Sequence, residues 1–115
     1  MEAQRNEILE SVGKSGWKAT ELDNYDFHKW SMETWLLESV WSPIGVTAYV
    51  SFLIDPQSDF QNPYAWAVEV SEEKPVYGKD RNRFIVSLKQ WKNEKSDFLK
   101  FLSEIRSQQK QDVRK

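Results

Sequence analysis

The chain has 115 residues, which fits one domain of the usual size of roughly 100–150 residues. Hydrophobic residues make up 39% of it and charged residues 30%, a balance that favours a globular fold over a disordered chain. There is no cysteine, so disulfides, thiolate nucleophiles and cysteine-based metal sites are excluded.

The net charge of −2 hides an uneven distribution. Residues 1–73 carry 4 Lys or Arg against 13 Asp or Glu, which gives −9, and residues 74–115 carry 12 against 5, which gives +7. Such an asymmetry indicates either a basic patch for an anionic partner or basic segments that pair with acidic ones inside one fold. Because the two sums nearly cancel, we favour the second interpretation.

Targeting signals are not evident in the sequence. Residues 1–15 lack the apolar segment of a signal peptide. The longest apolar run, near residues 46–54, is far shorter than the ~20 residues of a membrane helix. We therefore expect a soluble, cytoplasmic protein with no membrane partner.

The first predicted element is a helix over residues 2–12. Ile8, Leu9 and Val12 lie at helical spacings, and Gly13 is a natural stop. Residues 17–20 would fit a short strand, but the polar segment that follows indicates a turn, so we do not assign them to the sheet.

Four strands and a second helix follow. Alternating apolar and polar residues predict the strands at 30–41, 46–55, 65–71 and 83–89. The turn residues Ser42–Gly45 join the first two as a hairpin. Asn93 or Ser96 would cap the second helix, whose apolar stripe is Phe98, Phe101, Leu102 and Ile105.

These elements predict a single α+β domain over residues 1–115. Its order is α-β-β-β-β-α, with a four-stranded antiparallel sheet and the N- and C-terminal helices packed on one face. The polar residues from about 107 to 115 are expected to form a frayed tail. On the other face, Glu69 would lie opposite Lys89 or Arg83 and account for part of the charge asymmetry.

Several central segments resemble a group of small proteins of unassigned function from cyanobacteria. The similar segments are Trp41–Gly45 with Val46–Pro56, Ala65–Val68 and Ser87–Trp91. The resemblance covers about the middle half of the chain and implies a stand-alone α+β domain. It implies no catalytic or binding residues.

No pattern in the sequence predicts an enzyme. The single histidine, His28, follows Asp26 by two residues and fits a solvated turn better than a general base. The loop with Asp55 and Asp59 lacks the spacing of a calcium site, and no nucleophile elbow is present. We therefore predict no catalytic residue, no metal and no cofactor, and favour a non-enzymatic function.

One stretch interleaves basic groups with an aromatic ring, as proteins that bind single-stranded nucleic acid do. Its residues are Arg81, Arg83, Lys89, Trp91, Lys92 and Lys95. The acidic remainder of the chain would repel nucleic acid, which argues against this partner.

Six tryptophans are more than the core of so small a domain accommodates, and Trp is enriched at protein interfaces. The strand at 30–41 is apolar on both faces, which fits either a central strand flanked by long side chains or an aromatic sheet surface covered by a partner. We favour the second interpretation, with a homodimer or another protein as the partner. The candidate interface residues are Trp30, Trp35, Leu36, Val40, Trp41 and Tyr49. The alternative is a small-molecule pocket between the sheet and the helices.

Overall fold

The computed structural model describes residues 2–22, 31–42, 44–59, 64–75 and 82–113. The helices are α1 (Glu2–Lys14) and α2 (Trp91–Val113), and a short 3-10 turn, Leu88–Gln90, leads directly into α2. The strands are β1 (Trp17–Leu22), β2 (Ser31–Ser39), β3 (Thr47–Ile54), β4 (Ala65–Ser71) and β5 (Arg83–Ser87). Neighbouring strands are antiparallel and follow the chain order across the sheet.

The α+β class is confirmed, but the prediction of four strands is wrong because β1 is a fifth. β1 lies at the edge of the sheet and pairs only with β2. Of its six residues only Trp17 is buried. An edge strand with so little buried surface shows weak apolar alternation, and its sequence therefore resembles a loop.

One face of the sheet and both helices form the hydrophobic core. Trp35, Val50 and Val70 are aligned across three neighbouring strands and are buried. The ring of Trp35 packs edge-to-face on Phe52, with 5.2 Å between centroids. The helices add Ile8 and Val12 from α1 and Phe98, Leu102 and Ile105 from α2.

The start of α2 differs from the predicted one. The helix begins at Trp91, which is buried and packs edge-to-face on Phe98 at 5.1 Å, so Asn93 and Ser96 lie inside the helix and are not its caps. Its backbone continues to Val113, through most of the tail expected to fray. The Gln and Lys residues of this tail are good helix formers, which accounts for the extension.

An ion pair ties α1 to β2. Arg5 donates from Nε to Glu33 Oε1 over 2.8 Å and from Nη2 to Glu33 Oε2 over 2.6 Å. The indole N–H of Trp35 also donates to Glu33. Burial alone would raise the pKa of Glu33, but these hydrogen bonds and the charge of Arg5 lower it overall.

We expect Glu33→Gln to lower the free energy of unfolding by about 1–2 kcal/mol near pH 7, because charged hydrogen bonds are lost. A carboxyl whose pKa is lowered by folding stabilises the protein above its unfolded pKa, and that contribution disappears as the pH falls through the folded pKa. Urea denaturation should therefore show a smaller difference between variant and wild type at about pH 3 than at about pH 7.

The matched control for this prediction is Glu38→Gln, an exposed position on the same strand. Its effect should stay within about 0.5 kcal/mol at both pH values. A Glu33→Gln effect that does not depend on pH would contradict the role given to the ion pair.

Candidate functional site

The hairpin between β2 and β3 ends in a group of exposed apolar side chains. Val40, Trp41 and Ile44, here termed the hairpin tip, are 53%, 54% and 80% exposed. Gly45 follows with a φ of 97°, a left-handed conformation that Gly adopts without strain. The turn therefore presents three apolar side chains to the surroundings within five residues.

A side chain from the opposite end of the sequence holds the base of this hairpin. Arg106 of α2 donates from Nη2 to the carbonyl oxygens of Ser15 and Gly16, over 3.0 and 2.9 Å. Its Nε donates to Ser39 Oγ over 2.9 Å. Arg106 thus joins α2 to the link between α1 and β1 and to the end of β2.

Two indole rings flank the same guanidinium. Its central carbon lies 4.5 Å from the ring centroid of Trp17 and 5.3 Å from that of Trp41. Both distances fit cation–π contacts, which favour Arg over Lys. Burial among these groups lowers the pKa of Arg106, although a guanidinium stays charged in proteins.

The ring of Trp41 also lies directly against Gly16. A Cβ at Gly16 would collide with the indole ring of Trp41, and the φ of Gly16 is 85°. The backbone N–H of Val40 donates to the carbonyl oxygen of Gly16 over 2.9 Å, and Ser39 Oγ donates to that of Trp41 over 2.8 Å. Trp41 is therefore exposed and yet held in place.

A surface groove runs between the two helices toward the hairpin tip. One hollow, of about 380 Å³, is lined by Glu7, Glu10, Ser11, Lys14, Ser15, Lys95 and Leu99. The next, of about 230 Å³, shares Lys14, Ser15 and Leu99 with the first and reaches Trp41 and Arg106. We refer to the two hollows together as the helix groove. It ends against the ring of Trp41.

The outer face of the sheet carries a buried polar row. Thr34, Ser51 and Glu69 are aligned across β2, β3 and β4, and all three are buried. The hydroxyls of Thr34 and Ser51 lie 3.2 Å apart, within hydrogen-bond distance. Arg83 donates to Glu69 Oε1 over 3.2 Å. The predicted pairing of Glu69 with Arg83 is thus confirmed, and Arg83 neutralises this carboxylate.

The predicted interface residues do not form one surface. Trp35 is 1% exposed and lies in the core, so its assignment to an interface is wrong. Leu36 and Tyr49 are half-buried cross-strand neighbours on the outer face, and Trp30 lies outside the described residues. Val40 and Trp41 are exposed at the hairpin tip.

Ile44 and Arg106 were not predicted as site residues. Ile44 lies in a segment that the sequence assigns to turn chemistry alone. An arginine on the last helix, within a polar stretch, is typical of a solvated surface. The sequence did offer one indication that Ile44 is a site residue, because turns that contain Pro and Gly are usually polar and this one contains an isoleucine.

The basic stretch is also divided. Trp91 is 1% exposed and lies in the core, so it is not available to stack on a base as the candidate basic patch would require. Lys95 is half-buried and lines the helix groove, whereas Lys89 lines a different groove at the β3–β4 loop. Lys92 is exposed on α2. Arg81 and His28 both lie outside the described residues.

No protein-family model, curated protein or solved structure matches this chain. Within the described ranges, no three His, Asp or Glu side chains are grouped so that they could hold a metal ion. Neither described helix is long and apolar enough to cross a membrane.

We expect Gly16→Ala to destabilise the protein by about 2 kcal/mol or more, because the new Cβ meets the Trp41 ring and the left-handed backbone becomes strained. Gly13→Ala is the matched control, since nothing lies within 4 Å of its Cβ position. Being helical, Gly13→Ala should be neutral or slightly stabilising. Urea denaturation measures both, and equal effects would contradict the close contact between Gly16 and Trp41.

Proposed function

We propose that this chain is a non-enzymatic interaction protein that forms a homodimer through the hairpin tip. The observation that carries the proposal is the exposure of Val40, Trp41 and Ile44 within five residues of one turn. Single exposed apolar residues are normal on protein surfaces, whereas a cluster that includes Trp is typical of an interface.

The fixed base of the hairpin supports this function. An interface side chain that is already held in one conformation loses little entropy when a partner binds. Trp41 meets this condition because its ring contacts both the guanidinium of Arg106 and the backbone of Gly16. The hairpin tip can therefore act as a preformed anchor.

The position of the helix groove favours a second copy of the same chain as the partner. In a two-fold dimer each molecule presents one surface to the same surface of its partner. In this chain the apolar hairpin tip lies beside the helix groove, so the hairpin tip of each copy can enter the helix groove of the other. Leu99 offers an apolar contact there, and the two Glu and two Lys residues of the lining balance in charge.

The alternative of a ligand pocket between the sheet and the helices receives less support. Phe98 and Leu102 face the sheet from α2, and both have no accessible surface. A void large enough for a water molecule beside them would expose some of that surface. The contact between α2 and the sheet is therefore packed at these two side chains and leaves no room there for a ligand.

Sedimentation velocity over a range of protein concentrations tests the homodimer. We expect wild type to show a reversible monomer–dimer equilibrium. Ile44→Asp should weaken dimerisation at least about tenfold, because the dimer would have to bury a carboxylate in place of an apolar side chain. Because Ile44 is 80% exposed, the variant should match the thermal stability of wild type when both are diluted to monomers.

Asn93→Asp is the matched control. It adds the same charge at an exposed position in the first turn of α2, where an acidic group is favourable. It should dimerise like wild type. A wild type that stays monomeric at every concentration, or an Ile44→Asp variant that dimerises normally, would overturn the proposal.

A further inference from the structure

A second groove lies at the other end of the sheet from the hairpin tip. It has a volume of about 680 Å³, within the usual range of roughly 300–1,000 Å³ for ligand sites. Its lining includes Asp55, Gln57, Tyr64, Trp66, Leu88 and Lys89, and we term it the Trp66 groove. β3 separates it from the hairpin tip, so it is independent of the proposed dimer contact.

An irregularity of the sheet places Trp66 in this groove. Leu53 pairs with Ala67, but the next residue, Ile54, pairs with Ala65, which leaves Trp66 as an extra residue of β4. Such a bulge redirects a side chain and is over-represented next to functional sites. Trp66 is 43% exposed and Tyr64 is 49% exposed, so two aromatic side chains line one open groove.

Hydrogen bonds hold both walls of the groove. On one wall the N–H of Asp55 donates to the carbonyl oxygen of Tyr64 over 2.8 Å, and the N–H of Gln57 donates to Asp55 Oδ1 over 2.8 Å. On the other wall Gln4 of α1 donates to the carbonyl oxygen of Leu88 over 2.6 Å. The site is therefore formed before a ligand arrives, as most small-molecule sites are.

We propose that the Trp66 groove binds a neutral saccharide. The C–H face of a sugar ring stacks on an indole or phenol ring, whereas its hydroxyls need donors and acceptors at the rim. Trp66 and Tyr64 supply the rings, and Gln57, Asp55 and Lys89 supply the polar groups.

The charge of the lining favours this ligand over a nucleotide or a single-stranded nucleic acid. Those ligands need a positively charged groove along the phosphates. Among the lining residues Lys89 is a cation and Asp55 an anion, so their charges balance. The open, partly polar groove is also a poor match for a purely apolar ligand.

NMR titration of the ¹⁵N-labelled full chain tests the proposal. The probes are oligosaccharides of β-linked glucose, of α-linked glucose and of N-acetylglucosamine, with AMP and a proline-rich peptide as competing ligand classes. We expect at least one oligosaccharide to shift the indole N–H signal of Trp66 in a saturable manner. Trp66→Ala should lower that affinity about tenfold or more, because the stacking surface is lost.

Two further variants make the outcome decisive. Gln57→Ala changes an exposed loop residue and should weaken binding several-fold without disturbing the fold. Glu38→Gln, an exposed change at the other end of the sheet, should bind like wild type. The proposal is overturned if no oligosaccharide binds at millimolar concentration, if Trp66→Ala binds as tightly as wild type, or if only AMP or the peptide occupies the groove.

Discussion

The contacts of the Arg106 guanidinium connect three segments that are remote in sequence. Its nitrogens bond to two carbonyl groups at the link between α1 and β1 and to the Ser39 hydroxyl at the end of β2. Charged hydrogen bonds are stronger than neutral ones, and the flanking rings of Trp17 and Trp41 shield them from water. This one side chain therefore contacts both the start of edge strand β1 and the base of the hairpin tip.

The proposed dimer contact and the proposed ligand groove lie at opposite ends of the sheet. At one end the Arg106 contacts fix an apolar projection that suits a second copy of the chain. At the other end, a bulge in β4 directs the side chain of Trp66 toward a partly polar groove that suits a small neutral ligand. Between them, the core face packs against the helices, and the outer face carries the buried row of Thr34, Ser51 and Glu69. Each proposed site thus lies where regular pairing of strands ends.

Local patterns in the sequence account for most of the fold, because apolar periodicity records which face of an element is buried. It located both helices and four of the five strands, and missed β1 because an edge strand buries little. The sites were less predictable. The assignments of Trp35 and Trp91 to surfaces were wrong. The sequence pattern around a tryptophan in an amphipathic element is the same whether the core or a partner buries its ring. The contact of Arg106 with Gly16 spans 90 residues, and no local pattern reports it.

We infer that the Arg106 contacts keep the hairpin tip rigid before any partner binds, and ¹⁵N relaxation of dilute monomer tests this rigidity most directly. We expect backbone order parameters near about 0.85 for Val40, Trp41 and Ile44, close to those of β2 and β3, and lower values in Arg106→Lys. Order parameters below about 0.6 at these residues in wild type, or no change in Arg106→Lys, would contradict it.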